Sequence, residues 1–246
     1  MNHLNISTRA PESFDKKETK AKTEKLLEQL NELQNLLYAE GKHGILVVIQ
    51  GMDASGKDGL IRNVFGKLNP QGVKVQSFKV PTEEEKAHDF LWRIHLHTPA
   101  KGMIQIFNRS HYEDVLVTRV HGWCNDQVAQ KRFQAINDFE RLLTDHNATE
   151  VIKFYLHISP GEQQVRLNER MEDPTKHWKY NAKDFAEAKL WPKYMEMYED
   201  VFRNCSIIPW TVIPADQNWY KEFLVAKKMV EVLQGLNMKY PSLKAD

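Results

Sequence analysis

Net charge, cysteine and long apolar runs are all scarce in this chain, and each scarcity excludes something. Over 246 residues, 34 basic side chains meet 33 acidic ones, leaving a formal net charge of +1. That balance argues against a general polyanion binder, so no nucleic-acid partner is expected and any anion site must come from local clustering. The two cysteines, Cys124 and Cys205, form no CxxC pair and are too few for a disulfide framework, which suits a reducing compartment. The longest purely apolar run, Ile45 to Ile49, falls far short of the roughly 20 residues that cross a bilayer. The polar N-terminal stretch carries no apolar signal-peptide core. A cytoplasmic protein with no membrane partner is the expectation.

What the chain does have is enough apolar residues, 41% of the total, for one sizeable core. Residues 1–17, polar and interrupted by Pro11, read as a flexible segment, and 18–246 as a single domain. Leu26, Leu27, Leu30, Leu33, Leu36 and Leu37 recur at helical spacing up to Gly41, which predicts an amphipathic helix from Glu18 to Glu40. Five apolar segments (45–50, 73–80, 103–107, 151–158 and 209–213) then alternate with helical patterns. This alternation predicts an α/β fold, a parallel five-stranded sheet between helices. Leu60, Ile61, Val64, Phe65 and Leu68 predict one helix after the first strand. Ser159-Pro160-Gly161-Glu162 is a capping-box signature and predicts a helix through Arg166 and Arg170. Further helices are expected over about 184–203 and 219–236.

The first apolar strand runs into GMDASGKDG, residues 51–59, which fits a phosphate-binding GxxxxGK loop between a strand and a helix. Gly51, Ala54, Ser55, Gly56, Asp58 and Gly59 would line the anion and Lys57 would neutralise charge on a transferred phosphate. Where such loops usually carry a metal-binding Ser or Thr, this one has Asp58. Two unit charges about 4 Å apart at an effective dielectric near 20 repel by about 4 kcal/mol. An acidic phosphate loop therefore implies a divalent cation, Mg²⁺ or Mn²⁺, with Asp53 as its first ligand. Asp58 reads equally well as an acid in a first helical turn. The third segment ends in FNRSHYEDV, which offers Asn108, Arg109, Glu113 and Asp114 where a second acidic ligand belongs, with His111 and Tyr112 read as packing or hydrogen-bonding residues. Arg166 and Arg170 share a helix face, and with Lys176 and Lys179 they suggest a basic lid over about 160–190.

These motifs, together with NPQGVKVQSFKVPT, KFYLHIS and PWTVIPADQNWY, closely resemble polyphosphate kinase family 2 over nearly the whole chain after about residue 24. The resemblance implies a P-loop kinase fold similar to thymidylate kinase, with a helical lid. It implies Mg²⁺- or Mn²⁺-dependent, reversible transfer of the terminal phosphate of inorganic polyphosphate to nucleotides. The KDG and SHYED variants resemble the branch that accepts both AMP and ADP. Carried over by motif, Asp53 and Asp114 are the essential metal-binding acids, Lys57 the loop lysine and Arg109 a phosphate contact. Arg166 and Arg170 are lid arginines, and Glu113 belongs to the acceptor side. Lys67 would extend the donor channel with Lys57 and Arg109. Adenine and guanine nucleotides are the expected partners, and a homodimer or homotetramer the expected assembly. An ATP-dependent nucleotide or nucleoside kinase on the same fold is the alternative.

Overall fold

The computed structural model describes residues 3–243; residues 1, 2 and 244–246, at the ends of the two expected segments, lie outside the described residues. Helix α1, Lys16–Glu40, starts where Asp15 accepts from the Glu18 amide at 2.8 Å and stops at Gly41, whose φ of 64° suits glycine. Strand β1, Gly44–Gly51, is buried along its whole length. It feeds the loop and then α2, Lys57–Leu60, which continues as a π turn over Ile61–Phe65 rather than as the single regular helix predicted. The remaining elements are β2 Val73–Ser77, α3 Glu83–Lys86, α4 Trp92–His95, β3 Ile104–Asn108, α5 Val117–Val120, α6 Asp126–Asn147, β4 Thr149–His157, α7 Pro160–Glu172, α8 Ala182–Ala188, α9 Trp191–Asn204, β5 Trp210–Pro214 and α10 Asn218–Gly235.

All pairings are parallel and the strand order is β2-β3-β1-β4-β5. The chain leaves β1 toward one edge and later returns to the other, so the carboxyl end of β1 lies at a topological switch point, where open α/β sheets bind ligands. The core is the sheet's apolar run packed under helices, with Leu30, Leu37, Ile45, Val47, Phe107, Phe154 and Val225 fully enclosed. Among the described residues no helix is long and apolar enough to cross a membrane.

Two further expectations change. The helix predicted over 184–203 is two helices, because Pro192 lacks the N–H needed inside a helix and its ring clashes with the preceding turn. The N-terminal stretch, expected to be flexible, makes specific contacts. The Leu4 amide donates to Glu199 at 2.8 Å, Thr8 Oγ1 donates to Asp216 at 2.8 Å, and the Asp216 amide returns a bond to Thr8 at 3.0 Å. Phe14 meets Tyr220 edge-on at 5.0 Å. Thr8, one of the polar residues that suggested fraying, serves as a partner for the turn between β5 and α10.

Candidate active site

The loop after β1 takes backbone that side chains avoid. Gly56 has a φ of 90°, and a Cβ there would stand 2.3 Å from Lys221 Nζ. Its carbonyls are held one by one. Lys57 Nζ donates to the carbonyls of Gly51 at 2.8 Å and Met52 at 3.1 Å. Gln163 donates to that of Asp53 at 3.0 Å, Arg166 Nη1 to that of Ala54 at 3.2 Å, and Lys221 to those of Ser55 and Gly56, each at 3.3 Å. With the carbonyls engaged, the loop can offer an anion its own N–H groups and the first N–H groups of α2, which have no carbonyl in a preceding turn. Ser55 Oγ is buried without a hydrogen-bond partner among the described residues.

Strand β3 delivers the second group. Asn108 Nδ2 donates to Asp58 at 2.9 Å, and Arg109 follows in left-handed backbone, φ 62°. Strain of this kind in a non-glycine residue persists where surrounding contacts enforce it, often at functional sites. Here the Arg109 guanidinium lies between two acids, pairing with Asp53 and, at 3.3 Å, with Glu113. Glu113 chiefly, then Asp53, holds its pKa above the usual value against burial. The Lys57 ammonium shifts the other way: burial first, and Arg109 next, lower its pKa to about 8. The carboxylate repulsion inside the loop is thus offset by Arg109 in the structure.

The turn bearing Glu113, His111–Val115, is anchored from below. Tyr112 Oη donates to Glu140 at 2.6 Å, and the enclosed Lys153 ammonium bonds to Tyr112 Oη at 2.9 Å, Glu140 at 2.7 Å and the Cys205 carbonyl at 3.0 Å. Gln50 Nε2 donates to Glu113 Oε1 at 3.0 Å while its carbonyl oxygen accepts from Ser110. The packing roles expected of His111 and Tyr112 match this arrangement, since both are fully buried.

A cleft of about 800 Å³ opens over the loop, lined by eight basic side chains (Lys57, Arg62, Lys79, Arg109, Arg166, Arg170, Lys176 and Lys179) and six acidic ones. Asp53, Ala54, Gly56, Asp58, Gly59 and Asn108 share that lining. Gly51 and Ser55 lie buried in the structure. Besides these two, three more expected residues fall outside the lining. Lys67, past the π turn and facing α1, pairs with Glu24 at 2.6 Å. Glu113 reaches the site through Arg109. Asp114 sits near Arg132, whose Nη1 donates to its backbone carbonyl at 2.6 Å, and burial raises its carboxyl to about 6 despite Arg132 and Arg93. The structure does not bring Asp114 into the cleft with Asp53, and among the described residues no three His, Cys, Asp or Glu side chains gather as a cation site.

The basic residues after β4 are already occupied. Arg166 bonds to Glu162 at 2.8 Å and to the carbonyls of Ala215 at 2.8 Å and Asp216 at 2.9 Å besides Ala54. The predicted capping box is half formed for the same reason: Ser159 caps the Glu162 amide, but the Glu162 carboxylate goes to Arg166. Arg170 pairs with Asp184 at 2.6 Å, Lys176 with Glu169 at 2.9 Å, and Lys179 with Asp58 at 3.3 Å. Sequence reasoning missed Gln163 and Lys221. For Lys221 a signal existed, since its spacing to the buried Val225 and Met229 places a charge on the apolar face of a helix.

The family model for Polyphosphate kinase 2 (PPK2) matches residues 13–241. The chain belongs to the polyphosphate kinase 2 family. An AMP/ADP-polyphosphate phosphotransferase from Meiothermus ruber is 54% identical over 215 residues, 87% of this chain and 80% of the relative. An ADP-polyphosphate phosphotransferase from Rhodopseudomonas palustris is 40% identical, covering 87% of this chain and 79% of the relative. The crystal structure of Polyphosphate Kinase 2 from Arthrobacter aurescens TC1 superposes with a TM-score of 0.96 at 40% identity, over 100% of this chain and 89% of that one. The predicted P-loop kinase fold agrees with this family placement.

Proposed function

We propose that this chain transfers the terminal phosphate of inorganic polyphosphate to AMP and ADP, giving ADP and ATP. One observation carries the reading: the P-loop opens into a cleft lined by eight basic side chains against six acidic ones, in a family member 54% identical to a phosphotransferase named for AMP, ADP and polyphosphate. Cations spread along a cleft suit a repeating phosphate chain, which has no base or sugar to recognise. Donor binding should accordingly weaken steeply with salt.

A nucleotide phosphate is already ionised near neutral pH, so it attacks without a general base. Positioning and charge neutralisation then suffice. In this reading Lys57 exchanges the Gly51 and Met52 carbonyls for the transferred phosphoryl oxygens, Arg109 contacts phosphate between Asp53 and Glu113, and Glu113 faces the acceptor. Residues 160–190 act as the lid, where Arg170, Lys176 and Lys179 trade acidic partners for phosphate while Arg166 braces the loop. Mg²⁺ or Mn²⁺ fits this donor set: magnesium takes one or two carboxylates and completes its shell with phosphate oxygens and water. Asp53, in the cleft lining, would hold it; Asp114, outside the lining, is the poorer ligand. When bound, the ion supplies charge neutralisation between donor and acceptor phosphates.

Incubating the purified protein with AMP and Mg²⁺, adding either polyphosphate or ATP, tests the proposal. ADP formed with polyphosphate is expected; product from ATP alone would replace it with an ATP-dependent kinase. Guanine acceptors, reversibility, a dimer or tetramer and a cytoplasmic setting belong to the same proposal. GMP in that assay and light scattering address the acceptor and the assembly.

A further inference from the structure

Lys221 is a buried cation that the transfer scheme leaves unused. It lies on α10 at 1% exposure. Its ammonium donates to the carbonyls of Ser55 and Gly56, each at 3.3 Å, and to Asn218 Oδ1 at 2.9 Å. All three partners are neutral, and a buried charge held only by neutral groups is costly. The charges facing it divide: Arg166 from α7 and Lys57 from α2 repel it, while Glu222 of α10 and Glu162 of α7 attract it. Burial first, then Arg166, brings its pKa down to about 7. A neutral amide could hold two carbonyls without that desolvation cost, so the position of this charge, directly behind an anion loop, calls for an anion.

We propose that Lys221 is a positioning residue for the donor: it pins the Ser55 and Gly56 carbonyls away from the bound phosphate and lends that phosphate its charge without touching it. The inference rests on the polyphosphate reading above. It gives α10, at the far end of the chain, a part in donor affinity. Gly56, whose φ of 90° already favours glycine, also leaves room for the Lys221 ammonium, which would stand 2.3 Å from a Cβ there.

Calorimetric titration of the intact protein with a short polyphosphate of defined length tests it, with thermal unfolding run on each variant. Lys221→Gln keeps an N–H donor for the two carbonyls and removes the charge. It should bind polyphosphate at least about tenfold more weakly just below neutral pH, as expected for a lost cation near the anion, with the KM for AMP unchanged. Lys221→Arg keeps the charge at every accessible pH. Wild-type affinity should begin to fall as pH rises past about 7, whereas in Lys221→Arg the fall should wait until about 8, where Lys57 loses its proton. Should Lys221→Gln fold poorly, the pH profile of Lys221→Arg decides. Wild-type affinity in Lys221→Gln, or an unshifted profile in Lys221→Arg, would overturn the proposal. A wild-type protein that bound no polyphosphate would remove the donor reading itself, and the Lys221 inference with it.

Discussion

Lys57 illustrates how a single residue reads from sequence and what sequence leaves out. Its offset from Gly51 and Gly56 marks it as a loop lysine, because a phosphate cradle is local and its parts lie within nine residues, 51–59. What surrounds it was not legible. Asp58 meets Asn108 and Lys179, 50 and 121 positions away, and Ser55 meets Lys221 at a separation of 166. Contacts at such distances carry no periodic signature, so no pattern within the loop could reveal them. Lys57→Ala should lower turnover by at least about 100-fold, the scale of other lost charge-stabilising donors. Burial has brought the lysine pKa down from 10.5 to about 8. The charged form is the one that attracts phosphate, so kcat/KM for the donor should fall further as pH rises through about 8, beyond the earlier fall assigned to Lys221, rather than only above 10. Steady-state rates across that range check both points; a profile flat to pH 10, or near-normal turnover in the variant, would remove Lys57 from the chemistry.

At the scale of elements, the strands and long helices were readable because burial imposes periodicity, and the departures came where local chemistry overrides it. Pro192 divides a predicted helix, and the π turn over Ile61–Phe65 interrupts another without any Pro to announce it. The segment after α7 was legible as a basic run, but not the acids that engage it. The link between that segment and the loop is the Asp58–Lys179 pair, an exposed contact at 3.3 Å. Burial raises the Asp58 carboxyl, yet the bond from Asn108 and the charge of Lys179 outweigh it and leave the pKa below the usual value. Exposed pairs of this kind contribute about 0 to 1 kcal/mol, weak enough for a phosphate to displace the carboxylate. Asp58 therefore competes with the donor for Lys179. Asp58→Ala should lower the donor KM by up to about fivefold and Lys179→Ala should raise it by a similar factor, on that energy scale. Donor KM values that move in the same direction for both variants would dismiss the competition.

Across the whole molecule, the strand order β2-β3-β1-β4-β5 gathers the ends of β1 and β3, the base of α7 and the start of α10 around one loop. Alternation along the sequence predicts such a sheet, but the order of its strands depends on which apolar faces pack together, and the N-terminal stretch shows how tertiary partners can replace local propensity. That stretch reaches the site through Asp216. Thr8 bonds to its carboxylate and its amide, Ser159 donates to its other oxygen at 2.8 Å, and Arg166 donates to its carbonyl at 2.9 Å. Removing residues 1–10 would take away the two Thr8 bonds, the bond from the Leu4 amide to Glu199, the bond from the Ala10 amide to Gln217 and the exposed His3–Glu199 contact, while sparing Phe14. At about 1 kcal/mol for each net hydrogen bond, with little from the exposed contact, the loss is about 4 kcal/mol. For a chain of this size that lowers Tm by roughly 8 to 16 °C. The effect should extend to the site, since Arg166 spans Asp216 and Ala54: donor KM should rise severalfold while KM for AMP changes little. Thermal unfolding and the two KM values decide this together. An unchanged Tm would mean that the N-terminal contacts contribute nothing to stability, and a lowered Tm with an unchanged donor KM would confine them to the fold.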